Sequence, residues 1–184
     1  MITSQTLRRA ARILRAGGVV AYPTEAVYGI GCDPWDPEAV ARILRLKRRP
    51  TAKGLIVIAA EPAQLAGLVE TSAAGWVQAC ASWPGFVTWV LAAARSAPPW
   101  LTGDRGTLAV RITAHPVAAS LCRAFGGPLV SSSANLSGRP PARSALAARR
   151  AFPRGLDLVV PGQVGGEARP SPIIDGATGK ALRT

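Results

Sequence analysis

Histidine is almost missing from this chain: His115 is the single one in 184 residues. A multi-histidine metal site is therefore excluded. The three cysteines, Cys32, Cys80 and Cys122, are far apart and odd in number. They match neither a zinc-ligand spacing nor a disulfide framework, which points to a reducing compartment. No apolar run approaches the roughly 18 residues of a membrane span. Residues 1–15 lack the apolar centre of a signal peptide. A cytoplasmic protein is the expectation. The chain has no G-x-x-x-x-G-K-[ST] loop, no G-x-G-x-x-G fingerprint and no G-x-S-x-G elbow. His115 precedes Pro116 at an expected helix start and reads as structural, which leaves a Ser–His hydrolase without its base. The 10 acidic residues are scattered, so a carboxylate-pair mechanism is poorly supported. Aromatics are only 5%, and no RNA-recognition motif is visible.

What the chain has in excess is positive charge: 22 Lys and Arg against 10 Asp and Glu, a formal +12. All but Lys47, Lys53 and Lys180 of those cations are arginine. Such a balance favours anionic partners, unless it is compositional drift toward Arg and Ala. The length suits one domain, residues 1–184, and an apolar share of 48% excludes wholesale disorder.

Helices and strands are expected to interleave. Leu7, Ala10, Ala11 and Leu14 share a helical face that stops at Gly17-Gly18. Val19 to Tyr22 predicts a strand ended by Pro23. Asp36-Pro37-Glu38 is a helix start, followed by Val40, Ile43, Leu44 and Lys47 on one face. Strands are expected at Leu55 to Ala59, Phe86 to Ala92, Thr107 to Ile112, Pro128 to Val130 and Leu156 to Val160. Helical material is expected from Pro62 to Ala81, interrupted near Gly75, and at Pro116 to Phe125 and Ala142 to Phe152. One α/β domain follows.

Three polar or glycine-bearing segments directly follow apolar strands or helices, where loops of α/β proteins carry function. Tyr22-Pro23-Thr24-Glu25-Ala26-Val27-Tyr28-Gly29-Ile30-Gly31 is either a ligand-contacting loop or a turn capped by Thr24. Lys47-Arg48-Arg49-Pro50-Thr51-Ala52-Lys53 is either a phosphate clamp or a set of cations at a helix C-terminus. Ser131-Ser132-Ser133-Ala134-Asn135-Leu136-Ser137-Gly138 either offers donors to an anion or is a Ser/Asn turn. With no catalytic His, Cys or acid pair evident, positioning and positive charge remain, as in nucleotidyl transfer.

Taken in order, these segments resemble the YrdC family of threonylcarbamoyl-AMP synthases, closest to its short, stand-alone bacterial (TsaC) type. Trp83-Pro84-Gly85-Phe86-Val87-Thr88, Leu108-Ala109-Val110-Arg111-Ile112 and Pro170-Ser171-Pro172-Ile173-Ile174-Asp175 extend the resemblance over nearly the whole chain. It implies a single-domain, twisted mixed sheet flanked by helices around a positively charged cavity. It implies that L-threonine, bicarbonate or CO2, and ATP give threonylcarbamoyl-AMP and pyrophosphate. Mg2+ would accompany ATP, and no metal bound by the chain itself is implied. A partner transferase would then modify an adenosine beside the anticodon of tRNA.

The family's K-x-R and S-x-N signature falls on Lys47, Arg49, Ser133 and Asn135. By resemblance these are catalytic and hold the nucleotide, together with Lys53, Thr107 and Arg183. Threonine would be held by the loop carrying Thr24, with Arg111, Ser131 and Ser171. Ala26 stands where many members have Thr, Ile58 where some have His, and Phe86 where Pro is common. The rival readings are a non-catalytic tRNA-binding or RNA-binding module and a carbamoyl-adenylate domain of hydrogenase maturation. The latter would bring an acylphosphatase segment and zinc-binding Cys pairs, and neither is present.

Overall fold

The computed structural model describes residues 2–49 and 54–183. Helix α1 (Ser4–Arg15) follows the expected periodicity and buries Ala10, Ala11 and Leu14. Helix α2 (Pro37–Lys47) starts as expected: the Asp36 carboxylate accepts from the backbone N–H of Glu38 and Ala39. These bonds fill donors that a helix start otherwise leaves open. It ends at Arg48, which takes a left-handed φ of 50°. The remaining α-helices among the described residues are α3 (Trp76–Ser82), α4 (Pro99–Thr102), α5 (Pro116–Phe125) and α6 (Ala145–Ala151).

The strands are β1 (Val20–Pro23), β2 (Tyr28–Gly31), β3 (Ile56–Ala59), β4 (Thr88–Ala92), β5 (Thr107–Ile112), β6 (Leu129–Ser133), β7 (Leu158–Val159), β8 (Ile173–Asp175) and β9 (Ala181–Arg183). They form one mixed sheet in the order β7-β1-β2-β6-β3-β5-β4-β8-β9. The strand pair β3/β5 is parallel, with Ile56 opposite Ala109 and Ile58 opposite Arg111. On its other side β3 is antiparallel to β6, with Ile56 opposite Ser131.

Strand alternation divides the core. Ala21, Tyr28, Ile30, Val57, Val110 and Val130 face the cluster that includes Val40, Ile43 and Leu44 of α2. Val20, Tyr22, Ile58 and Leu129 face the other side, where α1 and α5 contribute Ala10, Leu14, Ala118, Leu121 and Cys122. Strands β7 and β8 are consecutive in sequence yet lie near opposite ends of the sheet. Residues 160–172 must therefore cross it as a strap.

Three expectations change. Residues 62–81 do not form one interrupted helix: Pro62–Leu65 is a 3-10 turn, and only Trp76–Ser82 is α-helical. Gly75 has φ +87°, and a Cβ there would lie 2.3 Å from the Gly176 carbonyl oxygen, so the chain passes too close to permit a helical side chain. Tyr28–Gly31, read as loop, is strand β2. Ser131–Ser133, also read as loop, belongs to β6.

Candidate active site

Helices α1 and α5 cover only part of their face of the sheet. Beyond Ile58 and Leu129 the same face continues through Ile56, Ser131, Ser133 and Gly29, and there no helix among the described residues lies over it. That uncovered area is the floor of a cavity of about 590 Å3. Glycine keeps the floor low: a Cβ on Gly29 would come within 3.1 Å of Ser131 Oγ. The walls are Thr24, Ala26 and Val27, Pro140, Pro141 and Arg143, Phe86, Arg49, the strap residues 168–171 and Arg183. Arg49, Arg111, Arg143, Arg169 and Arg183 line this space, and no carboxylate does so among the described residues.

The strap is held at several points. Gly165 N–H donates to Thr24 O at 3.0 Å and Glu167 N–H to Glu25 O at 3.2 Å. The Arg183 guanidinium donates to Ser171 O through Nε at 3.0 Å and Nη2 at 2.7 Å. Ser171 Oγ lies 3.0 Å from Thr88 Oγ1. His115 faces the strap backbone at Gln163 O, 3.1 Å away, and burial lowers its pKa.

Arg111 sits in β5 on the cavity side and is 7% exposed. Its Nη2 is 3.2 Å from Glu25 Oε2, and the Phe86 ring lies across its guanidinium at 5.5 Å. Burial pulls its pKa down, while Glu25 opposes that shift. Breaking such a buried pair by removing one partner typically costs about 3–5 kcal/mol, because a lone charge is left behind. Arg49 follows the left-handed Arg48 turn, reaches the cavity and donates to Gly54 O at 3.1 Å. Burial, and then Arg105, lower its pKa.

The expected site residues are mostly brought together. Thr24, Arg49, Arg111, Ser131, Ser133, Asn135, Ser171 and Arg183 all line the cavity. Thr24 donates its hydroxyl proton to Val27 O at 2.7 Å, so it both caps its turn and faces the cavity. Asn135 spends its amide protons on Leu136 O and Arg139 O, and its buried Oδ1 has no protein donor. Two expected residues lie outside the lining. Lys47 is buried, and its ammonium donates to the carbonyls of Ser133 and Asn135. Thr107 opens β5 on the same face as Arg111, further along the strand. Lys53 falls outside the described residues.

Arg143, Arg169 and Phe86 line the cavity without having been singled out for a role. Their signal was faint: Arg169 directly before Pro170, Arg143 two residues after Pro141, and an aromatic within Trp83-Pro84-Gly85-Phe86. Ala26 is in the lining, whereas Ile58 packs fully buried under α1 and α5 and offers the cavity nothing.

No three His, Cys, Asp or Glu side chains gather into a metal-binding group among the described residues. Nor does any described helix have the length and apolarity to cross a membrane.

This chain is 59% identical over 178 residues to a threonylcarbamoyl-AMP synthase of Halorhodospira halophila, covering 96% of this chain and 93% of that protein. Identity to a threonylcarbamoyl-AMP synthase of Stenotrophomonas maltophilia is 53% over 182 residues, with coverage of 97% and 98%. The crystal structure of P. abyssi Sua5 complexed with L-threonine superposes with a TM-score of 0.88 at 34% identity, over 95% of this chain. It takes up 52% of that protein, so the present chain spans about half its length. The fold of E. coli YciO also matches, with a TM-score of 0.81 at 24% identity, over 99% of this chain and 92% of that one. The Sua5/YciO/YrdC family model, described as telomere recombination, matches residues 12–184, and the chain belongs to that family.

Proposed function

We propose that this protein joins L-threonine, bicarbonate or CO2, and ATP into threonylcarbamoyl-AMP and pyrophosphate. One observation carries the reading: an arginine-walled cavity with no carboxylate lining it among the described residues, in a chain 59% identical to a threonylcarbamoyl-AMP synthase. The relatives' names speak for a synthase and not for a non-catalytic RNA-binding module.

The chemistry explains the charge. The carbamate of threonine bears two carboxylates, and ATP adds several negative charges. In a cavity partly closed to water their repulsion is strong unless fixed cations offset it. Arg111 receives the amino-acid carboxylate with its planar fork, and Thr24, Ser131 and Ser171 complete that end. Arg49, Arg183, Ser133 and Asn135 face the nucleotide, and Lys53 and Thr107 are assigned to the same end. The threonine nitrogen first bonds to CO2 with loss of a proton, or to bicarbonate with loss of water; a carbamate oxygen then attacks the α-phosphorus, and the bond to the bridging oxygen breaks. The electron pair leaves with pyrophosphate. Arginines positioned around the phosphates stabilise the charge that develops, and no protein nucleophile is required.

Among the described residues no acidic donor set faces this cavity to hold Mg2+. Mg2+ belongs to this reading as part of the nucleotide substrate, carried on the phosphate oxygens. The product passes to a transferase acting on tRNA in the cytoplasm.

Pyrophosphate release from ATP by the purified protein tests the proposal. Release that needs both L-threonine and bicarbonate is expected. Release indifferent to threonine would refute it.

A further inference from the structure

We propose that Glu25 is a positioning residue for Arg111, and that through Arg111 it sets a preference for substrates with a free carboxylate. The proposal rests on the reading of Arg111 as the amino-acid carboxylate fork.

Glu25 is 7% exposed and lies behind the cavity wall, outside its lining. Its Oε1 accepts the Thr113 hydroxyl at 2.6 Å and the Ala114 backbone N–H at 3.1 Å. Its Oε2 is 3.2 Å from Arg111 Nη2. The Ala114 amide and the guanidinium are donors only, so they need an acceptor at each end of the side chain between them. A carboxylate has two. The amide of glutamine has one, and its NH2 must confront either Ala114 or Arg111.

Arg111 is constrained accordingly. Glu25 Oε2 pairs with one end of the guanidinium by charge, without the alignment of a hydrogen bond, and the Phe86 ring covers a face. The buried Nε has no hydrogen-bond partner among the described residues, and the residue lines the cavity. The donors that remain are available to a planar, two-oxygen acceptor, which is the shape of a carboxylate. Glu25 also offsets a cation that would otherwise stand buried and alone before substrate arrives. Its side chain takes no part in the strap contacts, which use backbone oxygens of Thr24 and Glu25.

The test compares L-threonine with L-threoninamide, which keeps the amine and hydroxyl but lacks the carboxylate, in pyrophosphate release. The wild type should prefer L-threonine in kcat/KM. Glu25→Gln should lower kcat/KM for L-threonine about tenfold, leave L-threoninamide within about twofold, and leave KM for ATP unchanged. Thr113→Val, which removes one donor to the same carboxylate, should give the same pattern at about threefold and stands in if Glu25→Gln does not fold. Equal losses on both substrates would make Glu25 merely structural and overturn the proposal. No loss on either would overturn it as well. A wild type indifferent to the carboxylate would overturn the Arg111 reading itself, and with it this proposal.

Discussion

Lys47 Nζ donates to the backbone carbonyl of Asn135 at 2.8 Å, across 88 positions of sequence. The Ser133 carbonyl accepts from the same ammonium. Ser137 reciprocates, its N–H and hydroxyl donating to Lys47 O at 3.1 and 2.9 Å. The end of α2 and the turn after β6 are therefore one mechanical unit. It holds Arg49 and Asn135 in register across the cavity.

That link is pH-sensitive. Burial, and secondarily Arg49, hold Lys47 down to about 8, against an ordinary 10.5. Above that pH the ammonium that ties the end of α2 to the Asn135 carbonyl is lost, Arg49 and Asn135 are held less firmly, and kcat/KM for ATP should fall. Stability should move the other way. Between about 8 and 10.5 the unfolded chain binds the extra proton, so the contribution of this group to folding rises with pH. Lys47→Met should remove both trends, read from pH–rate profiles and from urea denaturation at matched pH.

Arg49→Ala should lower turnover about 100-fold, the scale of losing one preorganised transition-state donor. Circular dichroism and the melting temperature should change little, since the side chain faces the cavity. Unchanged turnover would remove Arg49 from the mechanism.

Arg183 anchors the strap through two donors on one carbonyl. Arg183→Ala should raise KM for both L-threonine and ATP about tenfold, because the wall they share is loosened. Arg183→Lys should restore only part of the loss, since an ammonium lacks the planar pair of donors. A wild-type KM for both substrates in Arg183→Ala would refute the anchoring role.

Gly31 has no room for a side chain. A Cβ there would lie 2.3 Å from Val130 O and 2.7 Å from the Tyr22 hydroxyl. Gly31→Ala should destabilise the protein by about 2–3 kcal/mol in urea denaturation, an overpacking cost. Gly29→Ala meets Ser131 Oγ at 3.1 Å and should cost less stability but narrow the cavity.

Much of the fold was legible where neighbours in sequence decide it. Strand β5 and helix α5 run over Thr107–Ile112 and Pro116–Phe125, as expected from periodicity and from Pro116 at the helix start. Strand β2 was not legible, because Gly29 and Gly31 present no side chains on one face and so show no apolar alternation. Their smallness is what lets Tyr22 and Ser131 pack over the strand. Strands β8 and β9 are three residues each, too short to show a period, and they exist through pairing, β8 onto β4 and β9 onto β8. The helical run expected across Gly75 is broken there, where the residue takes φ +87° and lies close against Gly176.

Local chemistry in the chain settled the reactive groups available: arginine in excess, scattered acids, no second histidine, and hydroxyl-rich segments after strands. Those features depend on residue type and on near neighbours, so they can be read in one dimension. Which arginines converge was decided by long-range pairing. Strand β5 brings Arg111 beside Glu25, the hairpin at the chain end brings Arg183 onto Ser171, and burial turns the Lys47 ammonium to the backbone and away from the cavity. A buried charge must find its partners wherever the folded chain supplies them, and sequence distance carries no record of that search.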